Sequence, residues 1–160
     1  MKQKTNIKPA TNKDLHAIRS CADAAYQIYV PRIGQKPAPM VADFEEAITK
    51  QIICVAHLEH IASNIVGFVV FYERGDHMHL ENIAVAPQAQ GNGVGRALIS
   101  FVEQSALAAG CKAVELYTNE KMTENLTLYP KLGYEEIERR QEDGFNRVYF
   151  RKEPLSRFQP

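Results

Sequence analysis

The stretch from Leu80 to Ser100, LENIAVAPQAQGNGVGRALIS, constrains the fold of this chain more than any other. An apolar segment, Ile83-Ala84-Val85, stops at Pro87 and is followed by Gln90-Gly91-Asn92-Gly93-Val94-Gly95. After the glycines, apolar residues recur at helical spacing. The pattern reads as a strand, a glycine-rich turn and an amphipathic helix. Such a junction gathers unpaired backbone N–H groups at the positive end of the helix, and glycines keep Cβ atoms away from an approaching anion. It predicts a seat for a phosphate or diphosphate. The competing reading is a surface turn whose glycines only satisfy positive φ.

Spacing separates three kinds of phosphate loop. A P-loop requires Lys-Ser or Lys-Thr after its glycines, and none follows here. The dinucleotide fingerprint G-x-G-x-x-G requires glycine at position 96, which is Arg96. It also requires a strand that enters the glycines directly and an acidic residue at the end of the next strand. Here a five-residue link follows Val85, and Glu115 lies inside its strand. The third pattern, Q-x-x-G-x-G, is met by Gln90, Gly93 and Gly95 after a V-x-P strand end at Val85 and Pro87. This loop resembles the acetyl-CoA diphosphate loop of the GNAT superfamily of acyl-CoA N-acyltransferases.

Composition narrows the partners. The 19 basic and 19 acidic residues cancel, which gives no reason to expect nucleic acid or an anionic membrane surface. No apolar run approaches a membrane span, and MKQKTNIKPA lacks the apolar core of a secretory signal. Cys21, Cys54 and Cys111 have neither disulfide nor metal spacing and read as reduced, mostly buried thiols. The expectation is a cytoplasmic protein of one domain, 1–160 with a core over 7–152, and a loose tail from Pro154.

Periodicity predicts a strand at Asn6–Pro9, then a helix over about Asn12–Tyr29 capped by Thr11 with Asp14. Val30 to Pro39 carries three prolines and a glycine and reads as a loop. A helix is predicted over Val41–Lys50 with Phe44, Ala47 and Ile48 inward. Strands follow at Ile52–Leu58, Ile65–Glu73 and His77–Val85, with turns at Ala62–Asn64 and Gly75-Asp76. The helix after the glycines buries Val94, Ala97, Leu98, Phe101, Val102 and Leu107 and ends at Gly110. A strand at Ala113–Thr118, a short helix at Asn125–Leu132, and a hairpin of Tyr134–Arg140 with Arg147–Lys152 about Asp143-Gly144 complete a mixed α/β order.

The second half extends the resemblance. Asn125, Tyr129 and the Gly133-Tyr134 pair match the GNAT form of an asparagine, a tyrosine four residues on and a closing Gly-Tyr. Pro130 departs from it, with a kinked or late-starting helix as the expectation. The resemblance spans about Ile7 to Lys152. It implies a central, mostly antiparallel twisted sheet of six to seven strands with about four helices, splayed between the fourth and fifth strands. It further implies direct acetyl transfer from acetyl-CoA to an amine of a small molecule or peptide, no metal, and a possible homodimer. Ile83, Ala84 and Val85 would offer backbone groups to the pantetheine arm, with the Val85 N–H polarising the thioester carbonyl. Gln90, Gly91, Asn92, Gly93, Val94, Gly95 and Arg96 would cradle the diphosphate. Asn119 and Asn125 would help hold the cofactor.

Candidate catalytic groups follow from the chemistry. Tyr129, with an ordinary phenol pKa of about 10, suits a general acid to a departing thiolate, and otherwise is a core tyrosine. Glu81 is the leading base or else a solvated strand carboxylate. His79 shares the Glu81 face by strand alternation and titrates usefully, or is a solvated hairpin residue like His77. Acceptor contacts fall to Tyr26, Tyr29, Arg32 and Met40, which otherwise are helix core and a solvated charge, and to Tyr117. A protein of another class, a non-catalytic acyl-CoA sensor, would keep the loop and lack a productive acid and base.

Overall fold

The computed structural model describes residues 4–59 and 64–155. Seven strands form one sheet: β1 (Thr5–Pro9), β2 (Ile53–Leu58), β3 (Gly67–Arg74), β4 (His77–Val85), β5 (Ala113–Asn119), β6 (Glu135–Glu142) and β7 (Phe145–Lys152). Their spatial order is β1-β2-β3-β4-β5-β7-β6. The β4–β5 pair is parallel, and the β1–β2, β2–β3, β5–β7 and β6–β7 pairs are antiparallel. The sheet is therefore mostly antiparallel, as expected. The chain divides into two compact units, 1–71 with 82–101 and 72–81 with 102–160.

In the first unit, helix α1 (Leu15–Tyr26) follows a 3₁₀ turn at Asn12–Asp14. The Thr11 N–H donates to the Asp14 carboxylate at 2.8 Å, and Asp14 N–H donates to Thr11 O at 2.9 Å. These bonds satisfy donors that a helix start leaves open. The segment read as a loop from Val30 is instead a single helical turn, α2 (Val30–Ile33), and Ala38–Val41 is a 3₁₀ turn. Pro31 lies in the first turn, where its missing N–H costs nothing, and Gly34 ends the turn at φ 86°. Helix α3 (Phe44–Thr49) starts later than predicted because Asp43 caps it, accepting from Glu46 N–H at 3.0 Å. Its inward residues are those predicted: Phe44, Ala47 and Ile48 are buried, and Phe44 meets Phe68 edge to face at 5.2 Å. The turn predicted at Ala62–Asn64 lies outside the described residues except for Asn64.

Gly67 opens β3 where no side chain fits. A Cβ there would stand 2.8 Å from the Ala84 carbonyl oxygen, so the glycine allows close approach to β4. Helix α4 (Val94–Ala108) then buries Val94, Leu98, Ile99, Val102 and Ala106, with Gly110 at φ 79° beyond its end.

In the second unit, helix α5 runs Thr123–Lys131 and starts before the predicted Asn125. Pro130 sits in its last turn, one residue before the helix ends at Lys131, and removes one N–H bond to residue 126. Tyr134 N–H closes back on Tyr129 O at 3.0 Å, with Gly133 at φ 97°. The β6–β7 turn carries Asp143 at φ 53° and Gly144 at φ 81°, both in the left-handed region that a two-residue hairpin requires. Tyr129 packs against Tyr134 and Phe150 at ring separations of 5.8 and 5.7 Å. The β4–β5 register runs from His77 opposite Ala113 to Leu80 opposite Leu116. Beyond those pairs β4 continues to Val85 and β5 to Asn119.

Candidate functional site

In the first unit, Ala97 N–H donates to Gly93 O at 3.0 Å, making Gly93 the residue that precedes the helix. The N–H groups of Val94, Gly95 and Arg96 therefore have no acceptor within α4. Gly91 and Gly93 hold φ of 88° and 80°, a backbone that other residues adopt only with strain. Asn92 pins the turn by donating from Nδ2 to Ala89 O at 3.0 Å. A Cβ at Gly91 would meet nothing within 4 Å, so no side chain obstructs that flank of the turn. Arg96 is exposed. Free amides, a helix dipole and an adjacent cation together fit a diphosphate.

Ile83 and Val85 are half-buried at the end of β4, and Ala84 is buried. The Tyr26 hydroxyl donates to Ile83 O at 2.5 Å, with Asn82 Oδ1 3.0 Å away. Asn82, itself buried, donates to Pro39 O at 3.1 Å. Tyr26 is thus a buried residue that fixes the backbone of β4. Sequence reasoning missed Asn82, although an amide between Leu80 and Ala84 on one face of a central strand was its signal. Tyr29 is half-buried, the exposed Arg32 lies 5.2 Å over its ring, and Met40 is half-buried in the Ala38–Val41 turn.

In the second unit, Glu81 is exposed and accepts from the Tyr72 hydroxyl at 3.2 Å. His79 is buried, in contrast to the solvated hairpin reading, with Tyr72 at 5.4 Å and Tyr117 stacked at 6.0 Å. Burial, then the charges of Arg74 and His77, push its pKa down to about 4, so it is neutral and weakly basic at pH 7. In the unfolded chain the ring titrates near 6.5, so the unfolded state binds more protons between the two values. The stability this group contributes is present above about pH 6.5 and is lost as pH falls toward 4. An imidazole titration followed by NMR should show a midpoint near 4 for His79 and no inflection between about pH 6 and 8.

Tyr117 and Tyr149 lie opposite one another on β5 and β7, 5.4 Å apart, and Arg147 covers the Tyr117 ring at 4.3 Å. Tyr72, Arg147 and Tyr149 escaped the sequence reading. Alternation along β7 puts Arg147, Tyr149 and Arg151 on one face, but only the insertion of β7 beside β5 sets that face next to Tyr117. By the same alternation, Tyr129 packs on the Phe150 face, opposite to Tyr117 and Tyr149. Asn125 donates from Nδ2 to Thr118 Oγ1 at 3.0 Å, and Asn119 Oδ1 accepts from Lys121 N–H at 2.9 Å. Burial raises the pKa of all three thiols, that of Cys21 to about 11, which leaves no activated cysteine nucleophile among them.

Comparison with known proteins places this geometry. The family model described as Acetyltransferase (GNAT) family matches residues 18–134. A thialysine N-epsilon-acetyltransferase of Bos taurus is 30% identical over 78 residues, 46% of this chain and 46% of that protein. An acetyltransferase of Pectobacterium atrosepticum is 31% identical over 78 residues, 49% of this chain and 55% of that one. The matched stretch spans about half the length of these relatives. Among solved structures, the ribosomal-protein-S18-alanine N-acetyltransferase of Escherichia coli superposes with a TM-score of 0.72 at 18% identity, covering 96% of each chain. The PaiA N-acetyltransferase of Thermoplasma acidophilum, in complex with coenzyme A, superposes with a TM-score of 0.70 at 13% identity over 94% of this chain and 99% of that one.

Proposed function

Because the chain belongs to the GNAT acetyltransferase family, we propose that it transfers an acetyl group from acetyl-CoA to a primary amine of a small molecule or peptide by direct attack. The observation that carries this reading is the turn at 90–96, whose Val94, Gly95 and Arg96 amides have no acceptor within the helix they begin. Acetyl-CoA supplies a thioester, an acyl group already activated toward amines. Those three amides hold its diphosphate, and the Val85 N–H polarises the acyl carbonyl. The Asn125 amide, fixed by its bond to Thr118, offers its oxygen to a pantetheine N–H. Glu81, exposed and hydrogen-bonded to Tyr72, takes the proton of the attacking amine. Tyr129 gives a proton to the leaving sulfur. His79, neutral and buried, lines the acceptor side and takes no part in the proton transfers.

Calorimetric titration with coenzyme A tests the seat, and acetyl-CoA consumption over amino acids, polyamines, aminoglycosides and peptides tests the chemistry. Gly95→Asp discriminates between a diphosphate seat and a plain turn. A Cβ at this position meets only Val85 Cγ2 at 3.7 Å, and a carboxylate in the first helical turn favours the helix. Stability should hold while coenzyme A affinity falls about 100-fold, as a negative charge is set beside the diphosphate. Unchanged affinity in this variant would move the diphosphate elsewhere.

A further inference from the structure

Three residues on one sheet face of the second unit keep hydrogen-bonding capacity: Arg147 and His79 are buried as residues and Tyr117 is half-buried, while their side-chain polar atoms stay in contact with water. Among the described residues, the Arg147 guanidinium, the Tyr117 hydroxyl and the His79 ring form no hydrogen bond. Arg147 is 8% exposed, and its ion-pair contact is Asp143 at 3.5 Å, whose side chain is 80% exposed to water. A solvated carboxylate at that distance leaves most of the five guanidinium N–H donors without a protein acceptor. The rings of Tyr117 at 4.3 Å and Phe145 at 6.0 Å receive the face of the cation and leave its N–H edge open to water.

The neighbouring residues show the contrast. Tyr149 donates to Glu142, Arg140 lies 4.2 Å over the Tyr149 ring, and Arg140 also pairs with Glu138 and Glu142. That group closes on itself, whereas Arg147, Tyr117 and His79 do not. A guanidinium held flat on an aromatic ring with its N–H edge reaching water is placed to take a planar acceptor such as a carboxylate.

We propose that Arg147 anchors a carboxylate of the acceptor, so that the acceptor class is an amine that also bears a carboxylate, an amino acid or a close relative. The inference rests on the acetyl-transfer reading and adds the substrate class to it. Charges of both signs act on the Tyr117 hydroxyl, Arg147 lowering its pKa and Glu81 raising it, within a net rise caused first by burial. A zwitterion matches that arrangement, with its carboxylate at the guanidinium and its amine toward Glu81. A doubly charged phosphate does not match, because Glu142 and Asp143 both share the field of Arg147.

The test uses the full chain with acid and amide pairs as acceptors: glycine against glycinamide, and phenylalanine against phenylalaninamide. Binding is read by saturation-transfer NMR in the presence of coenzyme A, and acetyl transfer by steady-state kinetics. The wild type should favour each acid over its amide by about 10- to 100-fold in kcat/KM, the range expected for a charge-assisted anchor. Arg147→Met should abolish the preference through KM with kcat little changed. Arg147→Lys, which keeps the charge and loses the bidentate fork, should restore part of it and covers the case in which the methionine variant misfolds. Equal handling of acid and amide by a wild type that binds coenzyme A overturns this inference and leaves acetyl transfer standing. Absence of coenzyme A binding overturns acetyl transfer, and the carboxylate anchor is then decided by the NMR comparison alone.

Discussion

Tyr129→Phe should lower acetyl transfer about 100-fold, the usual contribution of a positioned general acid, while coenzyme A affinity stays within about twofold. Tyr129 is 4% exposed and its ring packs against Tyr134 and Phe150, contacts that phenylalanine repeats. Losing one buried hydroxyl should therefore change stability by only about 1 kcal/mol. The decline should appear in kcat and not in KM, because the proton is needed only as the carbon–sulfur bond breaks. Opposite placement matters here. Tyr129 lies on the Phe150 face of the sheet, and Glu81 belongs with Tyr72 and His79 on the other. Acid and base then need not compete for one proton. Turnover equal to wild type in a folded variant would make Tyr129 a core residue and leave the proton to water. A wild type that binds coenzyme A and acetylates no amine would be a sensor instead.

The parts legible in the sequence are those set by local physics. Positive φ at Gly91, Gly93, Asp143 and Gly144 sits at glycines or in an Asp-Gly pair, and both turns formed where those residues predicted. The inward face of α3 followed from spacing alone. Val30–Ile33 was not legible, because Pro31 and Gly34 suit a loop as well as a single capped turn, and only the structure selects the turn. His79 was misjudged for a tertiary reason. Alternation places it beside Glu81, but its burial comes from Tyr72 on β3 and Tyr117 on β5. Arg147 was invisible for the same reason: its partner ring belongs to a strand 30 residues earlier in the chain, brought alongside by the β5-β7-β6 order. Cross-strand chemistry depends on strand order, which periodicity does not encode.

Lys152→Met should destabilise the fold by about 3 kcal/mol in urea unfolding. Glu103, on α4, is 1% exposed and accepts from the Tyr134 hydroxyl at 2.8 Å and the Lys152 ammonium at 3.0 Å. Burial, reinforced by the Glu103 charge, pushes the Tyr134 hydroxyl far above its ordinary pKa and keeps it a donor at any working pH. Removing the lysine leaves a buried carboxylate supported by one neutral donor. Glu103→Gln should cost less, about 1 kcal/mol, because the Lys152 side chain is 14% exposed against 2% for Glu103 and can turn its ammonium to water. The asymmetry is the diagnostic. A triple variant, Glu103→Leu with Tyr134→Phe and Lys152→Met, should recover to within about 1 kcal/mol of wild type, since an apolar cluster carries no desolvated charge. Tyr134 also packs edge-on against Tyr129, so the folded fraction of Lys152→Met should lose kcat in step with any displacement of that ring. A neutral Lys152→Met, or a triple variant worse than the single, would show that this carboxylate reaches water and that the ion pair holds nothing in place.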